Sequence, residues 1–289
     1  MARDYVIVAD STNDLPEGYA ESRGVRIVHL LYEIGGETYG KDSFLSSKEF
    51  YARMREGQPT KTAAVNIDEM LECFEAIINE GKDVLFMCLS EGISSTNANA
   101  YAAAEELNEK YPDAKIMVTN SLCASGGQGL FLYHALKNKE NGMTVEENFN
   151  ALESIKMNIV QKFTVDDLKY LMRGGRISKT SATIGTLINI KPLLHVDNEG
   201  KLAAEAKVRG RKKALTQLIK NMGEAMGSWK DKQEVIVVSH SDAEDIDFAT
   251  DMIKELYNPK ELIVGGITPT IGAHTGPGTI AIFFMGDVR

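Results

Sequence analysis

The sequence predicts an α/β protein of two domains, an N-terminal doubly wound, mostly parallel sheet followed by a C-terminal α/β domain on a mixed sheet. Three observations carry this. Short, nearly continuous apolar runs alternate with helix-length amphipathic stretches through the first half, as expected of strands buried on both faces under crossover helices. After Asn150 the pattern shifts toward paired strands joined by short turns. The length, 289 residues, suits two domains at about 150 residues each. The boundary is placed at residue 155, giving domains 1–155 and 156–289.

In the first half, Tyr5–Ala9, Val25–Leu31, Val84–Leu89 and Ile116–Asn120 read as strands. Pro16–Arg23, Ser47–Arg55, Ile67–Glu80, Thr96–Lys110 and Ser125–Lys139 read as helices. Ser46 with Glu49, Asn66 with Glu69, and Thr144 with Glu147 have capping-box spacing, an acceptor at the N-cap and a carboxylate three residues on. Leu31–Tyr39, with Gly35-Gly36 at its centre, reads as a hairpin laid onto the sheet. In the second half, Ile159–Val165 is a strand and Asp166–Met172 a short helix, which Arg173–Arg176 breaks. Ile190–Val196 and Leu202–Val208 form a hairpin about Asn198–Gly200, and Lys212–Met226 is a helix. Val235–His240, the helix Ala243–Leu256, Leu262–Ile267 and Thr279–Met285 complete the chain.

The composition excludes several classes. There are 41 acids against 32 bases, a net charge of −9, whereas nucleic-acid binding calls for an excess of Lys and Arg. No window approaches 18 apolar residues, so no membrane span is expected. Three scattered cysteines suggest neither a disulfide framework nor a zinc site, and fit a reducing compartment. The N-terminus lacks the shape of a signal peptide, so a cytoplasmic location is expected. The five histidines have no i, i+4 pairing, and no nucleotide-binding glycine motif is present, so neither metal nor cofactor is expected.

Leu89–Thr96 (LSEGISST) follows a buried strand and opens a helix, where ligands bind beyond the carboxyl ends of a doubly wound sheet. Ser90, Ser94, Ser95 and Thr96 offer hydroxyls beside free helix-terminal amides, which suits a carboxylate or phosphate. Simple N-capping explains them equally well. Ser94 lacks a nucleophile elbow, because Thr96 stands where G-x-S-x-G needs glycine. Pro59–Asn66 reads as a polar loop holding Thr60 and Thr62. Asp10–Asp14 is read as capping and Asx-turn chemistry before Pro16, since Leu15 stands where a calcium loop needs glycine. Gly272–Gly278 (GAHTGPG) reads first as a buried hairpin loop with a satisfied His274; the alternative is that its glycines let the backbone approach a ligand closely and point the imidazole at it.

Two basic clusters stand out from the acidic background: Arg173, Arg176 and Lys179, and Lys207 to Lys213 with Arg209 and Arg211. Cations at a helix start oppose its dipole, so Arg211–Lys213 suggest a phosphate or an acidic partner surface rather than helix stability. Arg173, Arg176, Arg209 and Arg211 are the candidate partner-docking residues.

VADSTNDLP, the Thr62 loop, LSEGISSTNANA, LMRGGRIS, LINIKPLL, KVRGRKKAL and GAHTGPG, in this order and spacing, resemble the DegV family of bacterial lipid carriers. The resemblance runs along nearly the whole chain. It departs from the family pattern at Ala63–Asn66, at Ser95 where glycine is usual, and at Asn97 where an aromatic is usual. The resemblance implies one long-chain fatty acid of the palmitate, stearate or oleate class, held in a tunnel between two α/β domains. Its carboxylate would lie near Thr62, Ser94, Ser95 and His274. The family's carriers are non-catalytic and present the acid to a separate ATP-dependent fatty acid kinase, which forms the acyl phosphate for phospholipid metabolism. The 12 methionines suit a soft acyl lining or ordinary core filling. The alternative is an enzyme using the same cleft, a Ser94-dependent hydrolase with His274 or a kinase substrate-binding subunit.

Overall fold

The computed structural model describes residues 3–178 and 189–289. Strand β1 (Tyr5–Asp10) is buried throughout. It pairs in parallel with β2 (Arg26–Val28) on one side. The segment between them, expected as a helix over Pro16–Arg23, is a turn through Gly18 (φ 75°) ending in one 3₁₀ turn at Glu21–Arg23. A left-handed glycine two residues after Pro16 stops the helix before it can propagate.

The hairpin of β3 (Leu31–Ile34) and β4 (Glu37–Tyr39) does not join the main sheet. After α1 (Ser47–Arg55), residues Thr60–Ala63 form β5, which pairs antiparallel with β3 and completes a separate three-stranded sheet. The expected polar loop is therefore partly a strand. Its alternation of half-exposed Thr60 and Thr62 with exposed Lys61 and Ala63 is too short and polar to stand out from a turn.

Helix α2 (Ile67–Asn79), β6 (Asp83–Cys88), α3 (Thr96–Lys110) and β7 (Ile116–Asn120) complete a parallel sheet of order β2-β1-β6-β7. Val6, Val8, Val84 and Phe86 face α2 and α3, while Tyr5, Ile7, Leu85 and Met87 face the opposite side. There α4 (Gly126–Glu140) and α5 (Val145–Ile155) cover them. Ser46, Asn66 and Thr144 each accept the expected amide, and at Thr144 both halves of the capping box are present.

The second sheet contains β8 (Ile159–Thr164), β9 (Ile190–Val196), β10 (Leu202–Arg209), β11 (Val235–His240), β12 (Glu261–Gly266) and β13 (Ile280–Met285), in the order β10-β9-β8-β13-β11-β12. Only β11 and β12 run parallel; the other pairs are antiparallel. The expected hairpin of β9 and β10 is present. Helices α7 (Arg211–Met226) and α8 (Ile246–Tyr257) cover one face of this sheet. Short α6 (Lys169–Arg173) follows β8. An unexpected helix, α9 (Pro269–Thr275), precedes β13 and contains His274, so the expected glycine loop is half helix.

Helix α4 joins the two sheets. Its first two turns are buried on all sides, and one continuous apolar core runs from Ile7 and Leu85 through Leu130 and Phe131 to Val237 and Phe283. The sequence GGQG permits this closeness. A Cβ at Gly126 would lie 2.7 Å from Val237 and Phe283, and one at Gly129 would lie 2.6 Å from the Asn13 carbonyl.

Candidate functional site

A cavity of about 200 Å³ lies between the two sheets, an order of magnitude above the space one water needs. Leu30, Leu89, Ile93 and Ala124 form its wall from the N-terminal half, and Phe163, Leu171, Val196, Leu202 and Phe283 its wall from the C-terminal half. Among the described residues no methionine lines it; of the two readings of the methionines, core filling is the one seen, at Met70, Met87, Met222 and Met226.

Four expected residues, Thr62, Ser94, Ser95 and His274, line this one cavity. Thr62 is carried by β5, registered opposite Tyr32 of β3. Its Oγ1 lies 2.8 Å from His274 Nε2. His274 sits in the last turn of α9, packed so closely on Gly174 that a Cβ there would strike Nδ1. Burial, with the nearby Arg176 charge, lowers its pKa to about 4, so the imidazole is neutral near pH 7. Among the described residues its buried Nδ1 has no hydrogen-bond partner. The Ser94 hydroxyl accepts from Thr96 N at 3.2 Å and donates to Thr96 Oγ1 at 3.1 Å, a turn-stabilising role at the start of α3. Ser95 is exposed at the cavity mouth.

The basic residues separate into different places. Arg176 lines the cavity; its Nε donates to the Ile93 carbonyl at 3.1 Å and its Nη1 to Gly174 O at 2.6 Å, tying the turn after α6 to the start of α3. Arg173 is exposed, over the Tyr170 ring at 5.4 Å. Arg209 is exposed at the end of β10. Arg211 makes two hydrogen bonds to Asp245, at 2.7 and 3.0 Å, and lies 3.6 Å from Asp166. Carboxylates of the same chain thus stand beside this cation at the helix start. Lys179 lies outside the described residues.

Asp10 and Asp14, at the end of β1, are fully buried and hold the cavity walls in place. Asp10 accepts the amides of Leu89 and Thr12 at 2.9 Å, and Asn13 makes the expected Asx contact with Leu15. Asp14 accepts from the Ser125 hydroxyl at 2.5 Å and from Thr268 N at 2.8 Å, so it links the starts of α4 and α9. Desolvation raises the pKa of Asp10, and raises that of Asp14 to about 7. Among the described residues no group of side chains is arranged to hold a metal ion.

The sequence reading missed Ser125, Gln161 and Thr270 as cavity residues. Ser125 follows β7 at the carboxyl edge of the parallel sheet, a position that general topology does favour. Gln161 and Thr270 carry no such signal. One falls in an apolar strand and the other in a helix read as loop.

Fold and site together define a two-domain α/β protein with a mostly apolar cavity between its two main sheets. The model of the family described as "Uncharacterised protein, DegV family" matches residues 4–287, and the chain belongs to that family. A DegV domain-containing protein of Clostridium perfringens is 38% identical over 99% of both chains. One of Lactococcus lactis is 34% identical over 96% of both. Among solved structures, a fatty-acid-binding DegV family protein from Thermus thermophilus superposes with a TM-score of 0.85 at 27% identity, over 99% of this chain and 100% of that one. DegV from Bacillus subtilis, described as a fatty acid binding protein, gives 0.83 at 28% identity, with coverage of 99% and 100%. No helix among the described residues is long and apolar enough to cross a membrane.

Proposed function

We propose that this protein is a non-catalytic carrier that holds one long-chain fatty acid in the interdomain cavity and presents its carboxylate to a separate fatty acid kinase. The observation that carries this reading is the cavity itself, apolar along its walls and hydroxylated at the Thr62, Ser94 and His274 end. The fatty-acid-binding relatives of the same fold support it. About 15 methylenes at ~0.8 kcal/mol each give ~12 kcal/mol of gross burial, ample for tight carriage after entropy losses.

The buried carboxylate needs hydrogen bonds. When His274 donates from Nε2 to Thr62, the Thr62 hydroxyl proton is released for the ligand. Ser95 adds a hydroxyl, Ser94 adds one by turning its proton from Thr96 Oγ1 to the ligand while still accepting from Thr96 N, and the Arg176 guanidinium favours the ionised acid. Arg173 and Arg209, exposed as they are, form the kinase-facing surface in this reading. No cofactor is required of this chain, and its place of work is the cytoplasm.

Titrating delipidated protein with palmitic acid tests the site. Thr62→Ala and Ser94→Ala are each expected to weaken binding about 10-fold to 100-fold while the protein stays folded, the scale of a hydrogen bond to a charged group. Unchanged affinity in both would sink the assignment. Charge reversal at Arg173 and Arg209 is expected to leave the acid bound but slow acyl phosphate formation by a fatty acid kinase.

A further inference from the structure

The cavity contains a second polar centre, away from the Thr62–His274 pair. Thr270 stands one turn before His274 on α9, so both side chains share the face that lines the cavity, about 5–6 Å apart at Cβ. Thr270 is 6% exposed, and among the described residues its hydroxyl has no hydrogen bond. The cavity-lining Gln161 and Thr279 are partnered, by contrast. Gln161 accepts from Ala124 N and donates to Leu122 O, and Thr279 donates to backbone carbonyls.

Ser125 lines the same cavity, 5% exposed, and is brought to the head of α9 by Asp14, which binds Ser125 Oγ and Thr268 N together. The Ser125 proton is committed to Asp14, so its remaining lone pairs are acceptors only. Ser125 also sits at φ 56°, ψ −141°, a backbone state that costs a non-glycine residue free energy and marks sites under functional constraint. Thr270 thus offers an uncommitted donor and Ser125 an acceptor, both lining the same cavity. A plain acyl chain leaves both unpaired.

We propose that the cavity accepts fatty acids bearing a hydroxyl near the carboxyl end, within about five carbons of it given the single helical turn between Thr270 and His274. The hydroxyl donates to Ser125 Oγ and accepts from Thr270 Oγ1. This rests on the fatty-acid reading above and deepens it.

The test is titration of delipidated protein with palmitic and 3-hydroxypalmitic acids. Wild type is expected to bind the hydroxy acid at least as tightly as palmitate. Thr270→Val, which keeps the shape and removes the donor, is expected to weaken 3-hydroxypalmitate about threefold to tenfold and leave palmitate unchanged. Ser125→Gly, which keeps the backbone state and removes the acceptor but also the bond to Asp14, is expected to weaken 3-hydroxypalmitate about threefold to tenfold more than it weakens palmitate. 12-Hydroxystearate is expected to bind more weakly than stearate, since its hydroxyl lies beyond reach. The proposal is overturned if wild type rejects the 3-hydroxy acid by more than tenfold while binding palmitate. It is also overturned if both variants weaken both acids equally, or if 12-hydroxystearate is the preferred hydroxy acid. Absence of binding by either palmitate or 3-hydroxypalmitate instead removes the carrier reading, and this proposal with it.

Discussion

His274 and Asp14 are held in opposite senses by the same burial. His274 has its pKa lowered from 6.5 to about 4, so the stability tied to its neutral form is complete above pH 6.5 and lost as pH falls toward 4. Asp14 has its pKa raised from 3.8 to about 7, so its contribution is complete below pH 3.8 and lost as pH rises through 7. The two slopes oppose each other between pH 4 and 6.5. Urea midpoints at pH 4.5, 5.5 and 6.5 are expected to climb more steeply with pH in Asp14→Asn than in wild type. In His274→Gln they are expected to climb less steeply or to fall; parallel profiles would contradict both assignments. Thr62, Ser94, Ser95 and His274 were legible because hydroxyls and a histidine gather in motif segments of an otherwise plain α/β sequence. The role of Arg211 was not, because its partners Asp245 and Asp166 lie 34 and 45 positions away in the chain. A cation at a helix start is anomalous only until the fold supplies its carboxylates.

Helix α4 is the element on which the architecture depends. It is expected to tolerate no side chain at Gly126, where a Cβ would stand 2.6 Å from Ser239 Oγ and 2.7 Å from Phe283. Gly126→Ala is expected to lose about 1–3 kcal/mol of stability by overpacking, read as a drop in urea midpoint with unchanged slope. Thr144→Ala, at the start of α5, removes one half of a capping box and is expected to cost about 1 kcal/mol. An unchanged midpoint in either variant would refute the corresponding packing or capping argument. Long helices and apolar strands were legible from periodicity and caps. The short elements were not. β5 is four residues of mixed polarity, α9 hides between Pro269 and a glycine run, and the Pro16–Arg23 pattern is cut by Gly18. Each is decided by tertiary contacts that no local window contains.

At the scale of the whole molecule, two sheets share one core through α4 and leave a cavity between them. The two-sheet plan was legible from the change of pattern after Asn150; the shared core was not, because nothing in a helix sequence says that both its faces are covered by different sheets. A ligand filling that cavity touches both halves and binds only the folded state. Delipidated protein is therefore expected to melt at a lower temperature than the same protein refilled with palmitate, by about 2.7 kcal/mol of stability at a free ligand concentration 100 times Kd. The most direct test of the carrier reading is to extract freshly purified protein with organic solvent and identify the lipid by mass spectrometry. The expected result is close to one long-chain fatty acid per protein chain, lost on Thr62→Ala with Ser94→Ala. A clean extract from folded wild-type protein would contradict the account.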